Sequence, residues 1–465
     1  MDELWRESAS SLAALIRSGE VTSREVVEAH LERVEEVNGS VNAIVEVRPD
    51  EVRAEADAAD DFIKTGKPLG VLHGVPFTIK VSHDVAGYAS NEGTVALKDL
   101  VATQDAPTVA RLRAAGAVAL ARTNMPDLGL RMNTESSLYG ATHNPWRHGY
   151  TAGGSSGGEA AALATGMSPI GIGGDIGGSL RSPAYACGIA SIKPSRGRVP
   201  GINPSATYDP GLEEQVMGVS GIMARHVDDV VLALQVVMGS HPIDPQSVDV
   251  AYRGRDVARR VALVATPTGG TTDPDVAEGV RAAGRALEAA GYEVDEVEPP
   301  MLFEAYFAWA ELISTNLSVN GALLMSLIGE GGQRFLELTD VEFAPSTPES
   351  LYVMHQTRWR LARAWREFMS DYPLVVGPTW TQPPYQLGFD ILDRESAMQA
   401  VEMVRFTLPA NVLGLPAACV PTGIANGFPT GAQIIANLYR EDLCLEAARV
   451  VEETVGVLTP IDPRA

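Results

Sequence analysis

The strongest constraint on the fold is an alternation of short apolar β-runs with helical segments between residues 68 and 229. Val75-Pro76-Phe77-Thr78-Ile79 and Ala117-Val118-Ala119-Leu120 have the length and composition of buried strands, and a helix over 108–115 lies between them. Pro169-Ile170-Gly171-Ile172-Gly173 follows an Ala-rich helix over 159–163. Val261-Ala262-Leu263-Val264, a helix over 275–290 and Glu293-Val294 continue the pattern, and the runs at 373–378 and 416–421 supply late strands. Such alternation predicts an α/β fold: a single large domain with a central mixed, mostly parallel twisted sheet covered by helices on both faces. No internal repeat and no long linker divides the 465 residues, and 45% hydrophobic residues suffice for a sizeable core.

The flanks differ from this centre. Thr22 and Glu25 form a capping-box pattern ahead of Val26, Val27, His30, Leu31 and Val34, and a second helix is expected over 50–62. Residues 1–65 thus read as a helical clasp on the core. Residues 300–405 are helical and rich in aromatics, with Phe303, Tyr306, Phe307, Trp309, Tyr352, Trp359 and Trp365.

Charge narrows the partners. A formal net charge of -23 repels phosphate backbones and anionic lipid surfaces, so neither nucleic acid nor membrane is an expected partner. Cys187, Cys419 and Cys444 are widely spaced in apolar sequence and read as buried hydrophobes, without disulfide or metal. The start Met1-Asp2-Glu3-Leu4-Trp5-Arg6 lacks an apolar segment, and no uncharged run reaches the roughly 18 residues of a membrane helix, so a cytoplasmic protein is expected.

Three stretches carry candidate chemistry. Gly74-Val75-Pro76-Phe77-Thr78-Ile79-Lys80 ends an apolar run on a lysine. Burial of its head group would disfavour the ammonium, and service as a base near neutrality requires its pKa to fall by about 3, roughly 4 kcal/mol. A side chain snorkelling to solvent is the alternative. Thr151-Ala152-Gly153-Gly154-Ser155-Ser156-Gly157-Gly158-Glu159 sets two serines among four glycines before a helix. This suits a tight turn, an anion-binding loop or, through Gly153-x-Ser155-x-Gly157, a nucleophile elbow. Gly173-Gly174-Asp175-Ile176-Gly177-Gly178-Ser179-Leu180-Arg181 places a serine behind successive glycines whose N–H groups could hold an oxyanion, with Asp175 and Arg181 able to clasp the turn.

Together, in this order and with Ser155 and Ser179 24 residues apart, these stretches resemble the amidase signature family. The resemblance runs from about Gly74 to Pro200 and includes Gly377-Pro378-Thr379, the run Asn411-Val412-Leu413-Gly414-Leu415-Pro416, and Gly431-Ala432-Gln433. It divides the single domain into the clasp 1–65, a signature core 66–240, a variable helical region 300–405 that shapes the substrate pocket, and a C-terminal part of the core, 406–465. It implies Ser179 as nucleophile, Ser155 as bridge after a cis Gly154–Ser155 peptide, and neutral Lys80 as the base. The N–H groups of Ile176, Gly177, Gly178 and Ser179 would form the oxyanion hole. No metal or cofactor enters. His73, His83, His143 and His226 are then structural or substrate-facing. Val81, Ala152 and Cys419 depart from the common family pattern without touching the triad.

The substrate implied is a small-molecule amide. Family members act on fatty, peptide and aryl amides, malonamide, allophanate, carbamates, and glutamine for tRNA amidation, the last disfavoured by the acidic charge. In the loop 201–217, Ile202, Tyr208, Leu212, Val216 and Met217 could line a pocket mouth or pack on neighbouring helices. An apolar mouth favours aryl or aliphatic acylamides. Alternatives are a carbamate (urethane) or ester hydrolase of the same family, an α/β-hydrolase-type esterase using Ser155 with His226, His241 or His355, and a non-catalytic binding protein. A homodimer stays open.

Overall fold

The computed structural model describes residues 3–206, 209–339 and 346–465. Its strands are β1 (Ile44–Glu46), β2 (Pro76–Lys80), β3 (Val118–Thr123), β4 (Glu135–Ser136), β5 (Gly140–Ala141), β6 (Ile170–Asp175), β7 (Ala190–Lys193), β8 (Val219–Ala224), β9 (Arg260–Leu263), β10 (Glu293–Glu296), β11 (Leu374–Pro378), β12 (Ala417–Ala425) and β13 (Phe428–Ala436). Strands β4 and β5 form a separate hairpin, and the rest form one 11-stranded sheet in the order β1-β3-β2-β6-β8-β7-β12-β13-β11-β9-β10.

The sheet is mixed but mostly antiparallel, which corrects the mostly parallel expectation. Among the described residues, β3/β2, β2/β6, β11/β9 and β9/β10 pair parallel. The other neighbours, β1/β3, β6/β8, β8/β7, β7/β12, β12/β13 and β13/β11, pair antiparallel. The reason lies in strands that periodicity missed: β7, β8 and β13 lie in the middle of the sheet and run against their neighbours. Strands β12 and β13 are joined at Asn426-Gly427, both at positive φ (51 and 82), the Asn-Gly signature of a two-residue hairpin.

Two apolar cores cover the two faces. Along β12, Ala417 and Cys419 belong to one cluster and Ala418 and Val420 to the other, following the two-residue period of a strand. The expected helices form at Ser23–Val41, Pro49–Ile63, Pro107–Ala114, Gly157–Ala164 and Pro274–Ala289. Thr22 and Glu25 make the capping box. The 300–405 region contains the long helices Leu302–Leu327 and Pro348–Asp371. None of the described helices is long and apolar enough to cross a membrane. The three cysteines are buried and unpaired.

What positions the site is the face choice of β2. Phe77 and Ile79 enter one core, so Thr78 and Lys80 point to the opposite face, where the helix Gly157–Ala164 packs. Every residue of that helix is buried. Its glycines allow the approach: a Cβ on Gly158 would collide with the Asn124 backbone.

Candidate active site

Lys80 closes β2 with its side chain buried, and its Nζ donates to Ser155 Oγ at 2.6 Å. Burial lowers the Lys80 pKa to about 8, against the opposing charges of Glu92, Asp175, Glu214 and Glu159. Glu159, beneath it, accepts from Thr78 and from Thr123 Oγ1, and burial raises its carboxyl to about 7. The Gly154–Ser155 peptide is cis.

The second serine loop lies directly alongside. Ser156 N–H donates to the Ser179 carbonyl at 3.2 Å, tying the two loops together. Ser179 is 8% exposed, and its hydroxyl has no hydrogen-bond partner among the described residues, which leaves it open to a substrate. The turn before it is organised by Asp175. This carboxylate accepts from the N–H of Gly178 at 2.8 Å and of Leu180 at 3.1 Å. It also accepts from Asn411 Nδ2 at 2.8 Å and pairs with Arg181 at 3.0 Å, both ends of the pair fully buried. Burial opposes ionisation of Asp175, but the charge and hydrogen bonds of Arg181 prevail and hold it well below the usual carboxylate range. Arg181 in turn donates to the Thr407 carbonyl, Gln433 Oε1 and Asn411 Oδ1. The ion pair thus ties the turn to distant chain.

Of the four N–H groups expected to face an oxyanion, that of Gly178 is already bonded to Asp175. Those of Ile176, Gly177 and Ser179 have no partner among the described residues. From the helix Leu302–Leu327, Trp309 Nε1 donates to the Ile176 carbonyl at 3.2 Å, and Thr407 Oγ1 donates to the Gly177 carbonyl at 3.2 Å. Both fasten the carbonyl side of the turn and leave the N–H groups of Ile176, Gly177 and Ser179 free.

The histidines serve elsewhere. His83 meets Ser220 Oγ at 3.0 Å, and burial, with the charges of Lys80 and Arg122, pushes its pKa down to about 3. His73 bonds the Ala59 carbonyl, and His143 stacks on His148. His226 precedes the helix Val227–Val237. No histidine, including His241 and His355, hydrogen-bonds Ser155 or Ser179 among the described residues; the basic group that contacts Ser155 is Lys80. Of the expected mouth residues, Met217 is buried while Leu212 and Val216 pack against the core. Ile202 lines a surface cleft with Arg196 and Pro204, and Tyr208 lies outside the described residues. Sequence reasoning singled out none of Glu92, Glu214 and Thr407, for which no local motif exists, and placed Trp309 only within the aromatic region expected to shape the pocket.

This geometry is a lysine–serine pair beside a clasped glycine turn that presents a second serine. The amidase family model matches residues 25–445. The chain is 39% identical to the indoleacetamide hydrolase of Bradyrhizobium diazoefficiens, over 98% of this chain and 88% of that one. It is 34% identical to an acylamidase of Rhodococcus erythropolis, over 95% and 94% of the two chains. The solved structure of 6-aminohexanoate cyclic dimer hydrolase with its substrate superposes with a TM-score of 0.86 at 28% identity, covering 99% of each chain. The chain belongs to the amidase signature family, enzymes that hydrolyse amide C–N bonds.

Proposed function

We propose that this enzyme hydrolyses apolar or aryl acylamides through an acyl-enzyme on Ser179. The observation that carries the reading is the 2.6 Å contact of Lys80 Nζ with Ser155 Oγ, next to the open Ser179 hydroxyl. Neutral Lys80 takes the Ser155 proton while Ser155 takes that of Ser179, and Ser179 Oγ attacks the amide carbon. The N–H groups of Ile176, Gly177 and Ser179 hold the resulting oxyanion, while Gly178 shapes the turn through Asp175. As the C–N bond breaks, Ser155 returns a proton to the departing nitrogen and is reprotonated by Lys80. Water then attacks the acyl-enzyme by the same relay and regenerates Ser179. An aryl acyl group is supported by the indole wall of Trp309 against this turn, where a Cβ on Gly177 would lie 3.1 Å from the ring, and by the relative named for indoleacetamide.

Mass-spectrometric mapping of a fluorophosphonate adduct tests the relay. The adduct is expected on Ser179 and is expected to vanish in Lys80→Ala. An adduct on Ser155 would overturn the assignment. In an amide panel, arylacetamides are expected to be turned over, and turnover of malonamide or glutamine alone would remove the aryl preference.

A further inference from the structure

Glu92 stands beside the relay without being part of it. Its backbone adopts φ 48, a left-handed conformation uncommon outside glycine. Its carbonyl accepts the Leu128 N–H at 2.9 Å. The chain then passes to Gly129, which lies against the Ser155 hydroxyl: a Cβ there would be 3.3 Å from Ser155 Oγ. On the other side, Gly93 N–H donates to Asn91 Oδ1 at 3.0 Å and Asn91 Nδ2 donates to the Tyr139 hydroxyl at 2.7 Å, so the segment is held in place. The half-buried Glu92 carboxylate makes no hydrogen bond among the described residues. Its charge is nevertheless the strongest of those acting on Lys80. Glu214, on the helix Leu212–Met217, acts on both Lys80 and Glu92, is open to solvent, and its carboxylate makes no hydrogen bond among the described residues.

Proton return fixes which part of a substrate meets these carboxylates. The departing nitrogen takes its proton from Ser155, so the leaving group occupies the Ser155–Lys80 side of the reacting carbon. Two carboxylates without hydrogen-bond partners, Glu92 ionised above the value of about 7 to which burial raises it, create a negative potential on that side. A cationic leaving group is attracted there, ammonia is tolerated, and an anionic one is repelled.

We propose that Glu92, seconded by Glu214, is a specificity-determining residue that selects amides whose departing amine is ammonia or a cationic amine and rejects N-acyl amino acids, whose departing amine bears a carboxylate. This rests on the relay through Ser155 and Ser179 given above. It adds no new bond-breaking step, only a field at the place where the amine leaves.

The test uses three arylacetyl amides of near-equal size: the 2-aminoethyl amide, the 2-hydroxyethyl amide and the glycine conjugate. Wild-type kcat/KM is expected to fall in that order, by at least about tenfold from first to last. Glu92→Gln is expected to shrink the spread to within about threefold, and Glu92→Lys to reverse it. Any change in Lys80 basicity affects all three substrates alike and cancels in the ratios, so the spread reports the leaving group alone. A flat wild-type series, or a spread unchanged in Glu92→Gln, overturns the proposal. Failure of the relay reading is recognised separately, by a fluorophosphonate adduct away from Ser179. A flat series with Ser179 still labelled refutes the role of Glu92 alone.

Discussion

Lys80 holds its proton loosely because its ammonium is buried at the end of β2, and nearby carboxylates recover only part of that loss. With its pKa lowered to about 8, the fraction able to act as a base grows as pH rises through that value. The expected profile of kcat/KM for a primary amide therefore climbs between about pH 7 and 9 and then levels. Low pH is expected to silence the enzyme, because a protonated Lys80 cannot accept from Ser155. A midpoint near the ordinary lysine value would show that Lys80 is solvated and would contradict the buried geometry. At this scale the sequence pointed to Lys80, Ser155 and Ser179, since each sits in a short local pattern, and the structure brings Lys80 against Ser155. The role proposed for Glu92 was not legible, because it depends on a tertiary contact: its carbonyl holds the Leu128 N–H, and the next residue, Gly129, lies against Ser155.

The element that defines the site is the turn from Asp175 to Ser179. Its glycines were readable as an oxyanion turn, but the engagement of the Gly178 N–H by Asp175 was not. Gly178 adopts φ 113, and a Cβ there would lie 2.8 Å from Ser182 Oγ, so a side chain is both strained and crowded. Gly178→Ala should displace the free N–H groups on either side of it. The expected result is a fall in kcat of about 100-fold with little change in KM, as for loss of an oxyanion donor. Fluorophosphonate labelling should slow in parallel. A variant with wild-type kcat would show that this turn does not hold the developing charge. The supports of the turn come from Trp309, Thr407, Asn411 and Gln433, more than 100 residues downstream. No local pattern could reveal those partners.

For the whole molecule, the sheet shares its two faces between two cores, so neither core can dissolve while the other keeps its strands. Trp309, Trp365, Trp380 and Tyr185 belong to one cluster, and Tyr88 and Tyr292 to the other, so these tryptophans report the first core and tyrosine samples both. Denaturant unfolding followed by tryptophan fluorescence, near-ultraviolet tyrosine signal and far-ultraviolet circular dichroism should thus give coincident transitions. Separate midpoints would show that the cores are independent. The α/β class, the clasp helices, the capping box at Thr22 and the three chemical stretches follow from the sequence alone, because periodicity, capping and glycine spacing act between near neighbours. Strand direction does not. Strands β7, β8 and β13 lack a strong local signal and acquire their antiparallel places from long-range pairing. The same is true of the site: local chemistry chose the lysine and the serines, while tertiary structure decided which N–H groups stay free and which carboxylates surround them. Those outcomes depend on distances between segments far apart in the chain, which no spacing along it encodes.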